Sequence, residues 1–230
     1  LATGGFMAFT VTNHGSQSSA YASSRTVSAF TPPGDTLLVA LIHRANTSDP
    51  TSITGHGTWT QHAKVSGSRT LWVYILKTAS SPSSSTVSVS FSTSTETELI
   101  VLSADGADVS TSASASIRNT DTGSVYNGSG GPFTNTASLP AFGSATNMSF
   151  IAGSAVFGGD NLTAEAGYTE IQGTYISGFY KASSDTSPSF GSGANFVSMA
   201  YIAMEIIEAT GGGGPILPIF TNHYRMMKQR

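Results

Sequence analysis

The apolar residues of this chain recur with a period of two. Val87-Ser88-Val89-Ser90-Phe91 alternates strictly, which puts Val87, Val89 and Phe91 on one face of an extended segment. Leu37–Ile42, Leu71–Leu76 and Leu99–Leu102 are short unbroken apolar runs, the pattern of strands covered on both faces. Pro and Gly punctuate the runs at Pro32-Pro33-Gly34, Pro50, Gly55, Gly57, Pro82, Gly106, Gly123, Gly128–Pro132 and Pro140. Phe196–Glu208 contains Ala, Met, Ile and Glu, all tolerable in a helix. Its match to Glu98–Ala104, which follows an alternating strand, predicts a strand instead. The whole pattern predicts an all-β protein of sandwich type.

The pattern also repeats. A copy at 37–107 has an apolar strand, Thr58-Trp59-Thr60-Gln61, Leu71–Lys77, Val87–Ser92 and Glu98–Ala104. A second copy at 149–209 has Ser149–Phe157, Gly167-Tyr168-Thr169-Glu170, Tyr175–Lys181, Pro188–Gly191 and Phe196–Glu208. Trp59 then matches Tyr168, Lys77 matches Lys181, Phe91 matches Phe190, and Leu99–Ala104 matches Val197–Ile202. Each half is short for a core of its own, so the two are expected to share one in a jelly-roll-like β-sandwich over residues 1–210. Gly211–Gly214 reads as a flexible linker. Beyond it, residues 215–230 form a candidate docking arm. Pro215 and Pro218 hold Ile216, Leu217, Ile219 and Phe220 extended, and Tyr224 and Arg225 follow.

Composition narrows the class. Serine (37) and threonine (29) make up 66 of 230 residues, while only 10% are charged. A coiled coil needs far more Glu, Lys and Arg. A disordered chain would carry fewer aromatics and more net charge than the −3 found here. No apolar run approaches the ~18 residues of a membrane-spanning helix. The absence of cysteine removes disulfides and Cys-ligated metals. The first charged residue is Arg25 and no apolar run precedes it, so no signal-peptide pattern is expected in the residues given. The first 210 residues carry seven basic and thirteen acidic side chains, a balance of −6, whereas the last 20 carry Arg225, Lys228 and Arg230 and no acid. An acidic body argues against nucleic acid as partner.

Candidate chemistry is sparse. His43, His56 and His62, with Asp49, could meet near the first strands, but no HxH or HExxH spacing is present, and loop histidines are expected. Glu96 and Glu98 share one side of a strand, the minimal equipment of a glycosidase. Such a site needs exposed aromatic platforms, and Trp59 and Trp72 are instead expected in the core. Glu205 and Glu208 read as a strand end. No GxSxG elbow and no P-loop occur, and four Asn-x-Ser/Thr sequons are close to chance in so Ser/Thr-rich a chain. Tyr126 and Phe133, in the Gly-rich stretch, are the candidate glycan contacts. No catalytic residue, metal or cofactor is expected.

Pro33-Gly-Asp-Thr-Leu-Leu-Val-Ala-Leu, Gly57-Thr-Trp-Thr-Gln, Leu71-Trp-Val-Tyr, Ser85-Thr-Val-Ser-Val-Ser-Phe and Ala166-Gly-Tyr-Thr together resemble Ser/Thr-rich, jelly-roll-like sandwich modules of phage virion and secreted bacterial proteins. The resemblance covers roughly 34–209. It implies a non-enzymatic decoration, fibre or adhesion unit in a virion or extracellular setting, self-associating and bound to other structural proteins of its assembly. The alternative is a carbohydrate-binding or adhesion module that contacts a surface glycan.

Overall fold

A computed structural model of the chain describes residues 8–67, 69–126, 132–156, 162–192 and 198–210. The linker 211–214 and the arm residues Pro215–Phe220, Tyr224 and Arg225 lie outside the described residues. In chain order the strands are β1 (Thr10–Phe30), β2 (Leu37–Arg44), β3 (Ser52–Thr54), β4 (Thr60–Ser66), β5 (Thr70–Lys77), β6 (Ser85–Asp105), β7 (Ile117–Tyr126), β8 (Phe133–Thr136), β9 (Met148–Val156), β10 (Thr163–Ala164), β11 (Thr169–Gln172), β12 (Ile176–Lys181), β13 (Ser189–Ser192) and β14 (Ser198–Ile206). One 3-10 turn, Ser114–Ser116, joins the halves, and every strand pairing is antiparallel. The protein is all-β.

The first sheet has the order β1-β6-β2-β5-β4, with β3 added on β6. The second has the order β7-β14-β9-β12-β11 when read from β7. These are the same path, because β1, β6, β2, β5 and β4 correspond to β7, β14, β9, β12 and β11. The two sheets pack face to face. Leu37, Val39, Leu41, Leu71, Val73, Ile75, Ile100 and Leu102 from one meet Met148, Phe150, Ala152, Ile176, Ala200, Ile202 and Met204 from the other.

Each half also has a core of its own, which the sequence reading did not anticipate. β2 is buried at all eight positions, so its outer face needs cover as well. β1 and β6 supply it by folding back. Each is 21 residues long, and their pairing is broken by register shifts at Asn13/Gly15, Ser19/Ala22, Ala22/Ser24 and Val27/Phe30. Such bulges bend paired strands. Gly15 sits at one of them with φ +145°, and a Cβ there would lie 3.1 Å from Val27 Cγ1. The returning parts place Val27, Val87, Val89 and Phe91 over Ala40, Ile42, Trp72, Leu99 and Val101. In the second half a separate sheet, β10-β13-β8, does the same work. Phe190 and Leu162 pack there against Ile151, Phe179, Met199 and Ala203. The four layers are therefore flap, sheet, sheet, flap.

The register corrects one match between the halves. Lys77 continues the inward row Leu71, Val73, Ile75, whereas Lys181 falls on the outward row with Phe179. A one-residue offset exchanges the two faces, so the Lys77–Lys181 equivalence is out of phase. Phe91 and Phe190 both occupy outer cores, and Trp59 and Tyr168 both pack against them just before β4 and β11. Each repeat unit also begins earlier than 37 and 149, at β1 and at β7.

Trp72 is fully buried between the first sheet and its flap. Its Nε1 donates to Asp49 Oδ1 at 3.1 Å, and Asp49 also holds Lys64 Nζ at 2.6 Å, so the buried indole N–H is satisfied. Trp72→Ala is expected to destabilise the fold by roughly 3–5 kcal/mol, read from denaturant titration. A loss below about 1 kcal/mol would remove this residue from the core account.

Candidate functional site

Three places concentrate polar chemistry: the seam between the halves, the outer face of β8, β10 and β13, and the point at which the chain leaves the body.

The seam lies at one end of the shared core. His43 of β2 and Glu98 of β6 are directly paired in register, and both are fully buried. Glu98 reaches across to the turn between β11 and β12. It accepts hydrogen bonds from the backbone N–H groups of Thr174 (2.7 Å), Tyr175 (2.7 Å) and Ile176 (2.8 Å), and from Ser16 Oγ (2.7 Å). Four donors from two distant segments converge on one carboxylate, and three of them are the otherwise orphaned amides of a tight connection. Gly173 makes room, because a Cβ there would lie 2.3 Å from Glu98 Oε1.

His43 completes the seam. Its ring stacks on Tyr175, with centroids 5.1 Å apart. Its Nε2 lies 3.1 Å from Glu96 Oε1, and its Nδ1 bonds Ser154 Oγ of β9. The carboxylate accepts, so Nε2 carries the hydrogen and bare Nδ1 accepts from the serine hydroxyl. Arg69 Nη2 pairs with the same Glu96 oxygen at 3.2 Å. Serine, imidazole and carboxylate stand in the order used by hydrolases, but Ser154 and His43 are buried and line none of the clefts described below. The geometry makes the arrangement an internal brace between the halves. Glu96 and Glu98, the sequence's candidate acid pair, serve that brace. The other histidines are elsewhere: His62 bonds Thr120, and His56 packs on Phe30. Among the described residues no three metal-ligating side chains come together.

Burial holds the His43 imidazole below its ordinary value of 6.5, outweighing the opposing pull of Glu96 and Glu98. The His43 hydrogen bond, and then Arg69, hold the Glu96 carboxyl below its ordinary value against burial. Both shifts have the same consequence. The unfolded chain takes up protons that the folded chain refuses, so stability is full above about pH 6.5 and falls as the pH drops. Thermal melting is expected to decline from pH ~7.5 to ~5.5 in the natural chain and to decline less in His43→Gln. Equal pH profiles for the two would contradict the assignment. Glu98→Gln is expected to cost roughly 2–3 kcal/mol at neutral pH in denaturant titration, because an amide nitrogen then faces backbone donors. An unchanged midpoint would show that the amide contacts carry no stability.

The second place is a groove of about 500 Å³ on the flap of the second half. Thr134, Thr163, Ser189 and Gly191 form its floor, with Pro132 and Glu165 at its edges. Thr136 and Ser189 are hydrogen-bonded across the strands at 3.0 Å. The flap of the first half carries similar hydroxyl rows, with Thr26 and Ser88 bonded at 2.7 Å. Glu165 is held above its ordinary value, first by burial and then by hydrogen bonding with Asp185. The two candidate glycan contacts flank this region differently. Tyr126, at the end of β7, is 73% exposed, whereas Phe133, at the start of β8, is half-buried against the outer core and lines the groove.

The third place is the exit of the chain. Ile207–Ala209 pair with Gly106–Asp108 through Asp108 N to Ile207 O (2.8 Å) and Ala209 N to Gly106 O (2.7 Å), tying the ends of both halves together. Thr210 follows, at the edge of two clefts. Sequence reasoning missed this place and the role of Glu205. That carboxylate is fully buried and accepts from Asn119 Nδ2, Gly143 N (2.8 Å) and Asn147 Nδ2 (2.6 Å). A charged residue inside the apolar run Met204–Ile207 was the available signal.

No family model, no curated protein and no solved structure matches the chain. Among the described residues no helix is long and apolar enough to cross a membrane.

Proposed function

We propose that the protein is a non-enzymatic structural component of a virion or extracellular assembly, of the phage decoration or fibre type, anchored through its C-terminal segment. The observation that carries this reading is the contrast between body and tail. The body is two braced sandwiches with hydroxyl-rich outer faces, and its polar clusters are spent on holding the halves together. The tail is apolar, proline-fixed and basic, and departs from one defined point at Thr210. A rigid displayed body with a chemically distinct tether suits many copies held on one surface, where weak single contacts multiply. Its partners are then other structural proteins of that assembly and further copies of itself.

The groove on β8, β10 and β13 favours a second reading, an adhesion module for a surface glycan. Its floor offers hydroxyls, and Phe133 offers an apolar wall.

The test is a chain ending at Thr210. It is expected to melt nearly as the full chain does, since every described strand is retained, yet to be lost from the particle or oligomer. Equal incorporation of the shortened chain overturns the anchoring role. If Thr134→Trp, which fills the groove, abolishes binding to a glycan array while assembly persists, the adhesion reading replaces it.

A further inference from the structure

The groove on the flap of the second half has a gap at its centre. Thr163, Gly191 and Thr134 stand side by side in one cross-strand row, and the middle member has no side chain. A Cβ at Gly191 would collide with the Phe133 carbonyl oxygen, so the backbone itself keeps the gap open. The first flap is filled in. Its outer rows, Ser24–Ser90–Ser52 and Thr26–Ser88–Thr54, carry a side chain at every position. Ser92 follows Phe91 there, where Gly191 follows Phe190 in the second half. Both flaps cover an outer core of the same kind, so covering that core does not require the trough.

Charge and chemistry narrow what fits. Glu165 is the one ionisable side chain among the described residues that line the groove, and no cation lines it. Lys181, close by, is paired with Asp185 at 3.1 Å. Glu170 is engaged as well, accepting from Ala164 N at 3.3 Å and from Gln172 Nε2 at 2.7 Å. A phosphate, sulfate or carboxylate group on a ligand therefore meets no counter-charge and one like charge. A divalent cation needs several oxygen ligands, and among the described residues no three metal-ligating side chains come together. A basic segment finds a single carboxylate on an otherwise uncharged floor, and an apolar ligand would bury the hydroxyls of Thr134, Thr163 and Ser189.

We propose that this groove takes a neutral glycan, with the Glu165 carboxylate accepting from adjacent sugar hydroxyls. The floor threonines and Ser189 exchange further hydrogen bonds with the sugar, and Phe133 receives the C–H face of a ring. The volume of about 500 Å³ falls within the ~300–1,000 Å³ of small-ligand sites. The inference deepens the adhesion reading of the groove and rests on it, adding the charge class of the ligand and the residue that sets it.

The test applies the full chain to an array of neutral, sialylated and sulfated glycans, and then titrates the tightest neutral one. Binding is expected for neutral glycans alone, with little change on raising salt to about 0.5 M. Glu165→Gln is expected to weaken the neutral glycan about tenfold at nearly unchanged thermal melting. Glu165→Lys is expected to admit sialylated or sulfated glycans. Acidic glycans bound by the natural chain as tightly as neutral ones overturn the inference and leave the adhesion reading standing. So does glycan binding that Glu165→Gln leaves unchanged, or that Tyr126→Ala alone abolishes, since the sugar then sits elsewhere. A steep loss with salt, or displacement of the glycan by oligolysine, overturns it in favour of a charged occupant. Absence of binding to every glycan removes the adhesion reading and this inference together.

Discussion

The architecture follows from one constraint: the central strands are apolar on both faces. In Leu37–Ile42 and Leu99–Leu102 the side chains of both parities are aliphatic and buried, so each five-stranded sheet must be covered twice. One cover is the opposite sheet. The other comes from the chain itself, by folding the long strands β1 and β6 back in the first half and by a separate three-stranded sheet in the second. Four layers result because two would leave Ala40, Ile42, Trp72 and Val101 in water. The second half reaches the same layering with β7 and β8, and with β13 and β14, where the first uses β1 and β6.

This constraint was legible in the sequence as unbroken apolar runs, and so were the strands that obey it. β2, β5 and the alternating part of β6 stand where the pattern predicts them, and Ser198–Ile206 is a strand despite its helix-tolerant composition. The first strand was not legible. Of the 21 residues of β1 only Val27 is buried, and Ser, Thr and Asn occupy half of the rest, so an edge strand facing solvent leaves almost no apolar period to read. The fold-back was hidden for a related reason. Its bulges depend on Gly15 and on register against a partner some 55 to 90 residues away, and neither leaves a local signature.

The candidate site shows the same division. The sequence marks Glu96, Glu98 and His43 as unusual, because charge and imidazole interrupt apolar strands. It does not say which backbone they face. Glu98 is committed by the amides of Thr174, Tyr175 and Ile176, and His43 by Ser154, contacts between halves more than 70 residues apart. Residues that suggest catalysis by type also tie the halves together, since the turn between β11 and β12 directs three N–H groups at Glu98. A hydrophobic isostere would leave those groups unsatisfied. This gives a physical reason for a carboxylate at a position where the neighbouring strand residues are Leu and Ile.

Charge poverty then acquires a structural meaning. With 10% charged residues and two of the thirteen carboxylates, Glu98 and Glu205, spent fully buried, the polar exterior is built largely from other groups. The flaps supply them. Ser52, Thr54, Ser88 and Ser90 lie on one outer face and Thr134, Thr136, Thr163 and Ser189 on the other, partly bonded to one another across strands. Hydroxyl rows hydrate without adding charge of their own, so the field at the flaps comes from single residues, Arg25 on the first and Glu165 on the second. Glu208 and Arg118 share one cleft beside Thr210, the point from which the proposed tether departs.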